Sequence, residues 1–566
     1  MDFAAIPKDG RDAMDWQWDD FRPYFDELEG RTLTPSGADQ WLRDWTRIND
    51  LADEVGARLY VATSVNTEDK AAEESYNRYL DHVSEPLQAA NHALNQKLLQ
   101  SGIKPAGFET AMREIEADAA IFREENLPLF TQEAKLCTDY SQIKGAQTVE
   151  WRGETKTLPQ LEPVLQESDR ATREEVWRTR SSRSLQDREA LDELWTKFLK
   201  LRIDVAQNAN QGNFRDFAWQ ALHRFDYSPE DCMTFHDAIE EAVVPAAQRI
   251  HENRRKAMGL ESLRPWDLSV DPFGRDPLRP FKDVDELTQK GTVVFDSVDP
   301  ALGTMYRTMV AENLLDLDNR PHKAPGGYCT SYDTVQLPFI FMNAVGLHDD
   351  LQTLLHEAGH AFHVFEGSAI PYRHQRSPGA EFCEVASMAM ELLAAEELAT
   401  AGYYSKPDEA RARIEKLEQM ILFWPYMAVV DAFQHWVYTH PQQAMDPRQC
   451  DQQWTSLWHR FMKGVDYSGL EEDVMTGWHR KLHIFMVPFY YVEYGLAQVG
   501  AIQVYENSKR DRKDAVKNYR RALALGSTKP LPDLFAAAGG SFSFDKATLG
   551  GLVQFVEEEI AALERA

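Results

Sequence analysis

The chain of 566 residues carries 91 Asp and Glu against 61 Lys and Arg, a formal net charge of −30. A surface that acidic repels phosphate backbones and anionic lipid, so no nucleic acid and no membrane is expected among its partners. Its 14 Trp and 11% aromatic content supply a large core, and the length allows several domains.

Residues Met1 to Phe21 mix Asp, Lys, Arg and Trp and contain no hydrophobic signal segment. Apolar residues at three- and four-residue spacing predict helices over 34–100 and 108–125, with Gly102, Pro105 and Gly107 between them. Residues 149–157 read as a hairpin with Gly153 in its turn, and helices resume over 158–260. From Leu263 to Gly346 the texture changes. Pro265, Pro272, Pro277, Pro280, Pro321, Pro325 and Pro338 interrupt the helical period. There Thr292–Phe295 reads as a strand, and Val335–Asn343 is the strongest strand candidate, with Pro338 suiting an edge position. Ala324 to Tyr328 forms a Gly/Pro loop, either a plain turn or a segment flanking a substrate.

Helices are predicted again over 380–400, 408–438, 450–463, 473–524 with breaks, and 552–564. The longest apolar run, Met420 to Val430, contains Pro425 and is too short to cross a bilayer. Lys509 to Lys513 reads as a solvated basic helix face. Cys137, Cys232, Cys329, Cys383 and Cys450 are odd in number, far apart and lack a CxxC pair. Free thiols in a reducing, cytoplasmic setting fit that pattern, with Cys383 a small buried side chain rather than a ligand.

The most specific segment is His356-Glu357-Ala358-Gly359-His360. Residues i and i+4 share a helix face, so both imidazoles can reach one zinc ion, and the intervening carboxylate can act as general base. Leu351, Leu354 and Leu355 supply the apolar stripe of that helix, and Asp349 and Asp350 suit its N-terminus. A catalytic zinc needs a third protein ligand. The candidates are His363, Glu366, Glu381, Glu384 and Glu391. The metzincin pattern fails, because His363 and Glu366 occupy the positions it specifies for glycine and histidine. His363 suits a supporting or substrate-side position better than a ligand position. Glu384 and Glu391, two turns apart in an apolar segment, are costly to bury without a cation. Glu384 is taken as the ligand, with Glu381 and Glu391 orienting the histidines or their neighbours.

These motifs make the chain resemble the thimet oligopeptidase and oligoendopeptidase F family of zinc metallopeptidases, nearest its bacterial oligoendopeptidase F branch. The likeness rests on His356 to His363, on Glu384-Val385-Ala386-Ser387, 24 residues after His360, and on the run from His483 to Tyr494. The Gly326–Tyr328 loop and the strand ending at Asn343 also look familial, although Cys329-Thr330-Ser331-Tyr332 departs from the Ser and Gly usual after that tyrosine. The resemblance implies that His483, Tyr491 and Tyr494 hold substrate and transition state, as neutral donors to a developing oxyanion can. On residue pattern alone those tyrosines would be aromatic core, and Tyr490 remains structural. The resemblance also implies that Leu337–Asn343 pairs with substrate main chain.

The expected fold is mainly α: two helical lobes enclosing a deep groove, with a small β patch beside the metal-binding helices. A soft boundary near residue 190 divides an N-terminal helical lobe, 1–190, from a catalytic zinc-peptidase domain, 191–566. The expected activity is hydrolysis of internal bonds of oligopeptides with one Zn²⁺, held by His356, His360 and Glu384, and with Glu357, His483, Tyr491 and Tyr494 catalytic. One alternative is a zinc carboxypeptidase or dipeptidyl carboxypeptidase, with Arg373 and Arg376 anchoring a terminal carboxylate unless they are merely solvated. The other is a noncatalytic peptide binder with structural zinc.

Overall fold

A computed structural model describes residues 1–320, 322–324 and 326–565. Pro321 and Pro325, two of the expected helix breakers, lie outside the described residues, and with Pro325 the middle of the Gly/Pro loop. The chain is mainly helical, with two small sheets. In the N-terminal region α1 (Ala38–Val65) carries Trp41 and Trp45 into an apolar cluster built from residues of the first 115. The expected hairpin is present as β1 (Thr148–Trp151) and β2 (Glu154–Thr157). Its two turn residues, Arg152 and Gly153, both take positive φ, the geometry that matches strand twist.

Helix α2 (Pro229–Ala238) follows, opened by a Ser228–Asp231 capping box. The expected strand at Thr292–Phe295 is instead part of α3 (Val284–Val298). Four β-friendly residues suggested a strand, but Leu287, Gly291, Val294, Phe295 and Val298 bury one helical face, and the Asp283 side chain caps the first turn. The period over fifteen residues outweighs local propensity.

The second sheet joins β3 (Leu315–Asp318), β4 (Tyr328–Tyr332) and β5 (Leu337–Ala344) in the order β3-β5-β4. The best strand candidate is therefore central, which corrects the edge assignment drawn from Pro338. That proline is tolerated because it pairs with Ser331 on β4, while parallel pairing to β3 begins only at Ile340. With both sides of β5 occupied, the sheet edge open to an added strand on this side is β4, not Leu337–Asn343.

From β5 the chain turns directly into α4 (His348–Gly367). Asp350 fixes this start, accepting from the backbone amides of Val345 and Leu347 at 2.8 Å each. Leu351, Leu354, Leu355, Ala358 and Phe362 bury the face away from the histidines. Next come α5 (Ala380–Ala394), the long α6 (Lys406–Thr439), the short α7 (Leu482–Met486), α8 (Tyr491–Arg510) and the closing α9 (Lys546–Arg565). Helix α5 is apolar nearly all round, as a helix packed on several sides must be. Lys509 and Arg512 pair with Glu396, and Arg512 also with Glu397, so the basic run at the end of α8 ties helices together.

Two glycines set how closely these helices pack. A Cβ on Gly359 of α4 would lie 2.5 Å from the Ala386 carbonyl oxygen and 2.6 Å from Ser387 Cα. A Cβ on Gly500 of α8 would lie 2.8 Å from Val385 Cγ2. Helix α5 is thus held against backbone on one side and close side chains on the other. Gly359→Ala is expected to destabilise the protein by about 1–3 kcal/mol through overpacking. Differential scanning calorimetry should show an earlier transition, and metal analysis should show weaker retention. An unchanged transition with full metal content would refute the close-packing argument.

Candidate metal centre

Helix α4 presents His356 and His360 one turn apart, their ring centroids 5.0 Å apart. Glu384 enters from α5, its Oε2 lying 3.3 Å from His356 Nε2 and 3.7 Å from His360 Nε2. Bonds of about 2.0–2.2 Å to a tetrahedral zinc would space the ligand atoms about 3.3 Å apart. One atom from each of the three residues falls within 4.8 Å of the others. Two imidazole nitrogens and one carboxylate oxygen in this spacing fit a divalent zinc-type ion and leave a coordination position for solvent or substrate.

The donors are themselves oriented. Ser387 Oγ donates to Glu384 Oε2 at 2.8 Å, and the Tyr490 hydroxyl donates to Glu384 Oε1 at 3.2 Å. Glu391, two turns further on α5, sits 2.7 Å from His356 Nδ1 and is ion-paired to Lys416 of α6. That bond turns His356 Nε2 toward Glu384. Charge follows the same plan. Burial disfavours charge on His356, but Glu384 and Glu391 outweigh it and push the imidazole up to about 10. Burial likewise opposes ionisation of Glu384, yet His356 and His360 hold it at about 2.

Glu357 points to the same place from the next position on α4. Burial pushes its carboxyl up to about 7, while the nearby His356 and the Cys329 backbone of β4 favour its ionised form. A cation among the three donors would act in the same direction as His356. His356, Glu357 and Glu391 line one wall of a cavity of about 1780 Å³ that extends to Arg254, Asp271 and Arg411.

The remaining candidates lie elsewhere. His363 is buried, its Nε2 without a partner among the described residues and its ring centroid 6.2 Å from that of Phe382, outside the donor cluster. Glu366 accepts from Arg520 Nε at 2.6 Å. Glu381 does not orient a histidine: it accepts from the Tyr227 hydroxyl and lies 3.8 Å from Arg224 Nε. Cys383 is free and donates weakly to the Pro378 carbonyl. Arg373 and Arg376 are half-buried and do not line the cavity, being paired with Asp53 and Asp50 of α1.

On α7, His483 packs edge-on against two tyrosines, its ring centroid 4.9 Å from that of Tyr491 and 6.0 Å from that of Tyr494. Burial and Lys481 push His483 down to about 4, so its imidazole is neutral. The Tyr491 hydroxyl accepts from Lys481 Nζ at 3.0 Å. Tyr490, expected to be structural, is the tyrosine that touches Glu384. Its aim is set by Phe489, which has φ +68°. That strained turn is fastened at both ends: Phe489 N donates to Gln434 Oε1 at 3.1 Å and its carbonyl accepts from Arg224 at 2.6 Å. Helical spacing of Tyr491 and Tyr494 is visible in sequence, whereas a positive φ one residue earlier carries no sequence signal at phenylalanine.

Residues 164–553 match the model for peptidase family M3. An oligoendopeptidase F homolog of Borreliella burgdorferi is 26% identical over 51% of this chain and 49% of its own. The chromosomal oligoendopeptidase F of Lactococcus lactis subsp. cremoris is 24% identical over 61% of this chain and 56% of its own. The chain thus spans about half the length of the curated relatives it matches. Among solved structures, PZ peptidase A with an inhibitor superposes at a TM-score of 0.88, with 25% identity and 99% of both chains covered.

Removing Glu384 as Ala should abolish tight metal binding, while Glu366→Ala should leave it intact, both read by mass spectrometry of metal content after dialysis. Glu391→Gln should weaken affinity by about 10- to 100-fold, the usual effect of losing a histidine's outer partner. Full metal retention in Glu384→Ala would exclude it as a donor.

Proposed function

We propose that this chain, which belongs to peptidase family M3, is a zinc-dependent endopeptidase cutting internal bonds of oligopeptides. One observation carries the reading: Glu357 is buried at the cavity wall beside a three-donor cluster that leaves room for solvent and substrate. The names of the relatives supply the oligopeptide substrate class. Five free cysteines favour a reducing, cytoplasmic setting, and no helix among the described residues is long and apolar enough to cross a membrane. The catalytic groups all fall within 191–566, the region assigned to the peptidase domain.

His356, His360 and Glu384 would hold the zinc, which when bound supplies Lewis-acid polarisation of water and of the scissile carbonyl. Glu357 takes the proton from the attacking water and later delivers it to the departing amine. A carboxyl that burial already raises toward neutrality is suited to both halves of that transfer. As the carbonyl oxygen gains charge, Tyr494 and Tyr491 offer hydroxyl donors, and His483 packs against both rings. Tyr490 acts through Glu384, holding the carboxylate in place. The open edge of β4, next to Glu357, is where extended peptide main chain can add.

Arg373 and Arg376 are committed to Asp53 and Asp50 of α1, so neither is free to anchor a terminal carboxylate. Glu357→Gln should therefore keep its metal and lose about 10²- to 10⁴-fold in turnover. Tyr494→Phe should lower kcat by up to about 10²- to 10³-fold with little change in KM. Mass spectrometry of peptides acetylated at one end and amidated at the other should show internal cuts. Near-native turnover by Glu357→Gln would sink the proposed role, and failure to cut blocked peptides would sink endopeptidase action.

A further inference from the structure

A second group of metal-philic side chains lies away from this centre. Cys232 and His236 stand four residues apart on α2, and Asp431 and His435 stand four apart on α6. Each pair therefore shares one helix face. Where the faces meet, Cys232 Sγ, an Asp431 oxygen and a His435 nitrogen lie within 4.8 Å of one another. All four residues are fully enclosed, with exposures of 0% for Cys232, 1% for His236, 0% for Asp431 and 3% for His435.

Hydrogen bonding leaves this cluster unsatisfied. His236 Nε2 and Asp431 Oδ2 bond at 2.8 Å. His435 Nε2 stands 3.3 Å from the same oxygen, but without hydrogen-bond alignment. Asp431 Oδ1 and both ring nitrogens of His435 have no partner among the described residues. The surroundings are aromatic: Trp219 and Phe489 pack 5.4 and 5.3 Å from the His435 ring, and Phe461 lies 6.4 Å from His236. Polar atoms orphaned inside an apolar shell are costly, so the arrangement calls for a bound species that satisfies several at once.

We propose that Cys232, Asp431 and His435 form a second, buried zinc site, with His236 orienting the Asp431 carboxylate. A thiolate and a carboxylate balance the ion's charge, so no net charge is buried. The second oxygen of Asp431, which has no partner among the described residues, is available as a fourth donor atom. Sulfur and imidazole select zinc over calcium or magnesium. The site is structural. It fastens α2 to α6 one residue from Gln434, which bonds both the Phe489 amide and the His483 carbonyl. It thereby stiffens the turn that aims Tyr490, and it stands independently of the peptidase reading.

Cobalt distinguishes the two centres, because only this one contains sulfur. Full-length protein produced in zinc-depleted, cobalt-supplemented medium should hold two equivalents and show a thiolate-to-cobalt charge-transfer band in the near ultraviolet. Cys232→Ser should lose the band and one equivalent. Glu384→Ala should also lose one equivalent yet keep the band. The wild-type spectrum makes the test independent of whether a variant folds. Wild-type protein with one equivalent and no thiolate band would overturn the proposal.

Discussion

The close approach of α4 and α5 at Gly359 is the constraint on which the centre depends. Only a residue without a side chain lets the Ala386–Ser387 backbone lie against the histidine helix. That contact fixes the separation of Glu384 from His356 and His360 without relying on flexible side chains. The Ala386 carbonyl is further secured by the Tyr519 hydroxyl at 2.8 Å, and Ser387 uses its own hydroxyl to hold Glu384. Packing, hydrogen bonding and donor geometry thus meet at one crossing. Glu391, two turns along, then aligns the first histidine from the same rigid rod.

Burying this much acid requires matched positive charge. Glu391 meets Lys416 as well as His356, and Glu381 and Glu493 share Arg224. Arg224 is enclosed yet reaches three distinct tasks: it closes the acidic pair, donates to the Phe489 carbonyl and stands over the Trp219 ring at 4.7 Å. The tyrosine segment and the metal-binding helix are therefore held by a common ionic cluster. Glu357, beside His356 on the cavity wall, is the carboxylate placed where chemistry can use it.

Much of this was readable before any coordinates. The His356–His360 spacing is a local property of one helix, and the cost of burying Glu384 and Glu391 in an apolar stretch identifies a cation nearby. Both inferences need only short-range geometry. What escaped depends on partners far along the chain. Glu381 holds no histidine because its partners, Tyr227 and Arg224, come from more than 150 residues upstream. β5 was given an edge position because its flanking strands cannot be ordered from composition. Tyr490 escaped because a left-handed phenylalanine redirects it. The segment around Thr292 misled because a short β-branched run hid a longer helical period. The fold class and the helix pattern were legible since they rest on periodicity, which every helix writes into its own residues.

The loop joining His360 to Glu384 is moored to the N-terminal region at several points. Arg373 and Arg376 grip Asp53 and Asp50 of α1, Tyr372 reaches Asp39, and Gln375 reaches the Gly107 carbonyl. The ring of His374 rests 4.4 Å from Trp45. Any swing of those N-terminal helices must drag this tether, and with it the spacing of the two ligand-bearing rods. The N-terminal helices thus brace the crossing of α4 and α5 from outside the cavity.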